Sequence, residues 1–525
     1  MDDRAPRRRL AWSTAIFSLA TGLSRILGLV REVVARRYFG VDGPVNAFTV
    51  AFQVPNLVRA LVADAALSSA FVPVFSELLQ KGERGRAWRV ASSLFWLLLL
   101  GLSAVTALFM LLAPWLIGVF GLPDAYDGLA VTLSRILFPI VVLLGLTGIV
   151  TGILNSYEHF TLPALTPVFW NLAIIAGLVI GVPRADTPST KLYVYAGAIV
   201  AGTVLQLLLP LPWLRGRDDR LRVAIDWRDP AVKRVFVLML PVTLGLGLIN
   251  FNAVIGAFFA ARYIDPELAP SAIDAAFRVY MLPQGMFSVA IATVLFPSLA
   301  RAAARGDTDE FRERVSLGLR QIAFWLVPAS AASAVLADPI VRLLYQRGEF
   351  GAHETRVVAG ALAAFSAGLV FNGTMLMLNR AFYSLQSPWL PTWVALGNLV
   401  LNTGLNAGFY RLGIWGLPLA TSIANVAGTV ALVVALRRRL GRLDLGRTVR
   451  GGALATVAAG ALAAVSYPVW RMLDDAFGRG FGGQLLSLGT ALVAGGAVYV
   501  VACRVLRVRE LDALLALLGR LRRRR

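Results

Sequence analysis

Four arginines lie where a charge is expensive. Arg25 and Arg31 fall in the first long apolar run of the 525-residue chain, Arg59 in the second and Arg278 early in the eighth. An ionisable group at bilayer depth costs about 3 kcal/mol on insertion scales and usually faces a cavity. Four guanidiniums around one cavity repel one another unless an anion joins them, and their paired donors suit phosphate oxygens. Each could instead snorkel or pair with Glu32 or Asp64, but two nearby acids do not match four arginines, so an anionic substrate is expected. Arg25 and Arg31 are six residues apart, about 120° out of register on a straight helix. Serving one ligand requires a bend, and Gly28 is the expected hinge. Arg36 and Arg37 are expected at the outer interface, and Arg135 is expected to snorkel. Asn171, Asn372, Asn398, Asn402, Asn406 and Asn425 read as interhelical hydrogen-bonding groups. Asn250 and Asn252 read the same way, with a place in the cavity lining as the second reading for these two.

Other chemistry finds little support. No glycine-rich phosphate loop ending in lysine occurs, since Lys81, Lys191 and Lys233 follow no such turn. His159 and His353 are too separated for a catalytic metal site, and Cys503 in the last run reads as a small apolar filler. No Ser/His/acid constellation is visible. The chain is not expected to be an enzyme and no cofactor is expected.

The elements that must position these arginines follow from composition. Hydrophobic residues make up 57% of the chain and charged residues 15%, with a mean hydropathy of +0.69. That excludes disorder and ordinary soluble domains, and a single cysteine excludes a disulfide scaffold. The reading is an all-α integral membrane protein. Fourteen apolar runs are long enough to span a bilayer. They lie near 11–37, 44–79, 88–118, 127–154, 162–182, 192–213, 232–261, 270–300, 315–337, 356–379, 388–409, 412–436, 450–473 and 482–504. The first follows Arg7-Arg8-Arg9 but lacks a cleavage site and reads as a retained helix. The runs at 44–79 and 270–300 exceed a bilayer and must tilt, bend or project.

The net charge of +21 falls in bursts between apolar runs, a pattern of topology control and not of nucleic-acid binding. About 34 of the basic residues fall on one side and about 12 on the other, which predicts both termini in the cytoplasm. The tail 506–525 places Leu511, Leu514, Leu515, Leu518 and Leu521 on one stripe between basic ends, as an amphipathic cytoplasmic anchor would.

An internal repeat organises the spans. Phe71-Val72-Pro73-Val74-Phe75, Gly82 and Phe95-Trp96 correspond to Leu295-Phe296-Pro297-Ser298-Leu299, Gly306 and Phe324-Trp325. The offset from Pro73 to Pro297 is the same as that from Asn155 to Asn379. The expected organisation is an N-terminal six-helix half (1–213), a cytoplasmic linker (214–231), a C-terminal six-helix half (232–436), two appended helices (437–505) and the tail. Parallel halves of this kind enclose a central cavity and belong to transporters.

Ser24-Arg25-Ile26-Leu27-Gly28-Leu29-Val30-Arg31 with Tyr38-Phe39-Gly40, then Ala51 to Arg59 and Ala70-Phe71-Val72-Pro73, closely resemble the opening of the MurJ (MviN) lipid II flippases of the MOP exporter superfamily. Gly152-Ile153-Leu154-Asn155 and Phe296-Pro297-Ser298-Leu299 continue the resemblance. It implies transport of a polyprenyl-pyrophosphate-linked peptidoglycan precursor, lipid II, from the inner to the outer leaflet by alternating access. Arg25, Arg31, Arg59 and Arg278 match the family's cavity arginines, with Ser24 beside them, and Asp64 stands where Glu is usual. Asn46 stands where members often carry Asp, a further polar cavity position, and Met281 where some carry Glu. The appended pair matches helices thought to form a lipid groove for the polyprenyl tail. The implied setting is the bacterial cytoplasmic (inner) membrane, in cell-wall biogenesis and cell shape. Lipid II, membrane lipids and cell-wall synthesis proteins are the implied partners, with no nucleic acid and a monomer expected. The driver is left between membrane potential, worth about 2.3 kcal/mol per charge per 100 mV, and an ion gradient. Two alternatives stay open: an exporter of another polyprenyl-linked glycan or an amphipathic drug, and a non-transporting scaffold for cell-wall assembly.

Overall fold

Where no water is at hand for exposed amides and carbonyls, a helix satisfies its backbone within one segment. Every regular element among the described residues is helical. The computed structural model describes residues 4–62, 65–441 and 445–511. Asp64 and the tail positions Leu514, Leu515, Leu518 and Leu521 lie outside the described residues.

Two compact units divide the chain, Met1–Pro270 and Ser271–Arg525. The first holds α1 (Arg4–Phe39), α2 (Val45–Val62), α3 (Ala65–Gln80), α4 (Arg84–Gly118), α5 (Asp124–Leu137), α6 (Pro139–Ser156), α7 (Thr161–Ala176), α8 (Pro188–Leu208) and α9 (Pro230–Phe259). The junction falls in the first turn of α10 (Ala269–Pro283), and after it come α11 (Val289–Ala304), α12 (Thr308–Val335), α13 (Ala337–Tyr345), α14 (Ala352–Ser366), α15 (Leu369–Ser384), α16 (Trp389–Phe409), α17 (Gly416–Leu440), α18 (Leu445–Phe477) and α19 (Phe481–Val505).

All fourteen predicted runs are largely helical along their described residues. Among those residues nine helices are long and apolar enough to cross a membrane, or ten when α14 and α15, bent by 47°, are taken as one span. The described residues of the runs near 11–37, 44–79, 232–261 and 388–409 add no further span to that count. The long run at 270–300 continues through α10, a π-helical turn at Gln284–Ser288 after Pro283, and α11 as one span of 36 residues, Ala269–Ala304. Proline removes a backbone donor, and the wider turn absorbs the break. Much of α4 faces outward with apolar side chains, Leu111 at 76% and Trp115 at 69% exposed, as a lipid-facing helix must.

The repeat is visible in the helices themselves. The starts of α3 and α11 are separated by the same offset as Pro73 and Pro297, and so are their ends. Gly82 and Gly306, after their ends, both take the left-handed conformation, at φ 78° and 69°. There a side chain would be strained, and glycine is the natural stop. Packing repeats too: α3 lies against α4 and α6, and α11 against α12 and α15. Likewise α7 pairs with α8 and α16 with α17. The symmetry fails at one helix. By period α9 is the counterpart of α1, yet α1 packs on α7 whereas α9 packs on α2 and α3 within the first unit.

In the second unit α18 and α19 pack on each other, and α12 bears the pair. Tyr499 O–H donates to the Phe324 carbonyl at 2.7 Å, and Arg320 Nε meets Glu510 at 2.8 Å. Near the other end of α18, Arg342 and Asp474 form an ion pair with both side chains 9% exposed.

Candidate functional site

Ser24 and Arg31 are seven residues apart on α1, so they share a face. That face meets α7, where Asn171 joins them. Its Nδ2 donates to Pro167 O at 2.9 Å and reaches Ser24 O at 3.4 Å and Ser24 Oγ at 3.5 Å. Its Oδ1 accepts from Arg31 Nη1 at 3.2 Å. The Arg31 guanidinium also covers the Trp170 ring, 4.8 Å from its centroid, an attraction of cation for ring face. Its Nε is buried without a hydrogen-bond partner. A planar cation held on two sides keeps its fork in a fixed orientation, which suits an oxyanion. α1 passes through Gly28 as one helix, and a Cβ there would meet Asn171 Oδ1 at an ordinary 3.9 Å.

Arg59 stands in the last turn of α2. Asn56, one turn earlier, accepts from its Nε at 3.1 Å and its Nη2 at 2.8 Å. One amide oxygen thus grips both arms of the fork. Arg25 is exposed on α1. Arg278 belongs to the second unit, where its Nε meets Asp274 Oδ2 at 2.9 Å across one turn of α10. Both side chains stay partly exposed, at 38% and 24%. Asn56 and Asp274 escaped the sequence reading although their spacings of three and four were visible. The Trp170–Asn171 grip on Arg31 crosses 140 positions and has no local signal.

Other candidates have different surroundings. Asn46 is wholly buried, and its Nδ2 faces three backbone carbonyls, those of Val41 at 2.9 Å, Gly43 at 3.2 Å and Glu267. It staples the α1–α2 turn to the segment after α9 rather than lining an open space. Asn250 and Asn252 are half-buried on α9, and Asn252 Oδ1 has no partner. Glu32, offered as a partner for the deeper arginines, holds Arg36 at 2.9 Å with both side chains buried. Arg36, expected at the outer interface, is thus buried within the protein. A carboxylate one turn earlier and the Gly40 carbonyl at 3.4 Å make its burial tolerable. Arg135 is exposed, and its Nε donates to Met110 O at 3.1 Å.

Comparison with known proteins resolves the class. The sequence matches the family described as lipid II flippase MurJ over residues 35–479. The chain belongs to that family. Arg59 and Arg278 fall inside the matched stretch, and Arg25 and Arg31 precede it. A lipid II flippase MurJ from Burkholderia cenocepacia is 33% identical over 428 residues, covering 80% of this chain and 82% of the relative. A probable lipid II flippase MurJ from Bdellovibrio bacteriovorus is 28% identical over 517 residues, 96% of this chain and 97% of that one. Among solved structures, a MurJ flippase in an inward closed conformation superposes with a TM-score of 0.78 at 24% identity, covering 95% of this chain and all of the other. An inward-facing multidrug transporter of the MATE family, in the MOP superfamily, gives 0.68 at 19% identity over 80% of this chain and 95% of its own. MurJ and MATE proteins thus share this multi-pass helical fold.

Proposed function

We propose that this MurJ-family chain moves lipid II from the inner to the outer leaflet of the bacterial cytoplasmic membrane by alternating access, as a transporter without catalysis, with both termini cytoplasmic. The single observation that carries the reading is Arg31. It is a half-buried guanidinium held in one orientation by Asn171 and Trp170. Burying a pyrophosphate without partners is prohibitive, and guanidinium donors replace the water it leaves. Arg25 and Arg59 are assigned to the same anion, Gly28 to the hinge, and membrane potential to the drive; Arg278 is assigned to transport within the second unit. The family match supports the cargo.

The test is lipid II translocation in reconstituted vesicles, with and without an imposed potential. Movement above that of protein-free vesicles is expected, faster with the potential of the favourable sign, and strongly reduced by Arg31→Ala. Equal rates in vesicles with and without protein would overturn the function. Equal rates with and without the potential would overturn the drive alone.

A further inference from the structure

The segment joining α8 to α9 is built as a strap. After a short turn at Leu211–Leu214 it has no regular structure up to Asp229, yet it is pinned along α4. The Arg222 N–H donates to Ser92 Oγ at 3.1 Å, the Asp226 N–H donates to Ser93 Oγ at 3.1 Å, and Trp96 Nε1 donates to the Arg222 carbonyl at 2.9 Å. Arg89 is the last charge on α4, so these contacts lie where that helix turns wholly apolar. The strap therefore reaches the membrane boundary.

Its four acids are engaged by groups of the protein. Asp218 takes Arg84 at 2.6 Å and the Tyr157 hydroxyl at 2.8 Å. Asp219 takes Arg222 at 3.0 Å. Asp226 accepts the backbone N–H groups of Arg228 and Asp229, and Asp229 caps α9 through Ala231 at 2.7 Å. What remains outward is cationic and apolar. Arg215, Arg217, Arg220 and Arg228 have no ion pair among the described residues. Trp213, Val223, Ile225 and Trp227 are 46%, 80%, 48% and 59% exposed. A hollow of about 360 Å³ is lined by Pro212, Trp213, Arg215, Gly216 and Arg217. Gly216, at φ 77°, makes the left-handed turn between the two arginines, and Arg217 is held 5.1 Å over the Tyr157 ring.

We propose that this strap is a seat for anionic phospholipid headgroups, with a headgroup phosphate between Arg215 and Arg217 and the indoles of Trp213 and Trp227 at the acyl boundary. Charge complementarity selects the occupant, because aromatic side chains favour the interface and unpaired arginines favour anionic lipid. The seat is separate from the cargo assigned above.

The experiment uses the whole chain with Cys503→Ala, which removes the one native cysteine, and Val223→Cys carrying a bimane label. It is reconstituted in phosphatidylcholine alone or in an equimolar mixture with phosphatidylglycerol. Quenching by a nitroxide lipid labelled near the headgroup is expected to exceed quenching by aqueous iodide, and to rise with phosphatidylglycerol. In native mass spectrometry, Arg215→Gln with Arg217→Gln is expected to weaken phosphatidylglycerol retention roughly tenfold. Arg215→Lys with Arg217→Lys should retain most of it. Iodide quenching that dominates in both lipids, or retention unchanged in the Gln pair, would overturn the proposal. Displacement of the retained lipid by soluble pyrophosphate would overturn it too, because the seat would then belong to a free anion.

Discussion

Arg31 Nη1 donates to Asn171 Oδ1 at 3.2 Å, so a charge on α1 is oriented by an amide on α7. The same amide reaches Ser24, and one side chain sets the position of two family-matched residues. Replacing Asn171 with Ala is expected to lower stability by about 1–2 kcal/mol, the range for a hydrogen bond between membrane helices that involves a charged donor. Thermal unfolding in detergent measures it. Arg31→Lys keeps the charge but loses the planar stack on Trp170, so the fold should persist while translocation falls. Full translocation by the Lys variant would show that charge alone suffices.

Arg278 pairs with Asp274 where both side chains are partly exposed, and such pairs contribute about 0–1 kcal/mol. Arg278→Ala should therefore leave the unfolding temperature nearly unchanged. Arg59→Ala is expected to behave likewise, since Asn56 is a partner on its own helix. Both variants should fail to restore growth of a flippase-depleted cell although they reach the membrane in normal amount. Normal growth with both changes would remove these arginines from the transport mechanism.

Arg342 and Asp474 behave differently because they are buried. Removing one partner strands a charge, and Asp474→Ala is expected to cost about 3–5 kcal/mol. Replacing both, as Arg342→Met with Asp474→Leu, should recover most of that. Unfolding midpoints of the three variants decide it. A double variant as unstable as the single would mean the pair supplies net attraction that hydrophobic packing cannot replace.

His159, in the short loop after α6, is held below the usual histidine range by its burial and then by Arg217. The fold thus favours the neutral ring. Its contribution is present above the ordinary pKa of about 6.5 and is lost as pH falls through the lower folded value. Protonation there places a second positive charge beside Arg217, near the Tyr157–Asp218 bond that holds the strap. Burial and that bond together push the Tyr157 hydroxyl up to about 12, so it stays a donor throughout this range. Hydrogen exchange of residues 215–229 should quicken between about pH 7 and pH 5 in the native chain and respond less in His159→Gln. An identical response in the two would exclude this histidine.

By itself the sequence determined the membrane class, the repeat and the inventory of costly arginines. Composition, helical period and a fixed repeat offset are local or additive properties, and α3 and α11 reproduce that offset at both ends. Partners within one turn carry a signal of the same kind, although it went unread. Asn56 under Arg59 and Asp274 under Arg278 follow from the pitch of a helix. Only the tertiary structure decided which residues meet across helices. Asn171 with Arg31, Asn46 with the Glu267 carbonyl, α9 against α2 and α3, and the folding of the linker onto α4 depend on how each helix is rotated and slid against its neighbour. Apolar faces packed in an apolar medium leave rotation and offset weakly specified. Shape and a few polar contacts then choose among registers that one-dimensional spacing cannot distinguish.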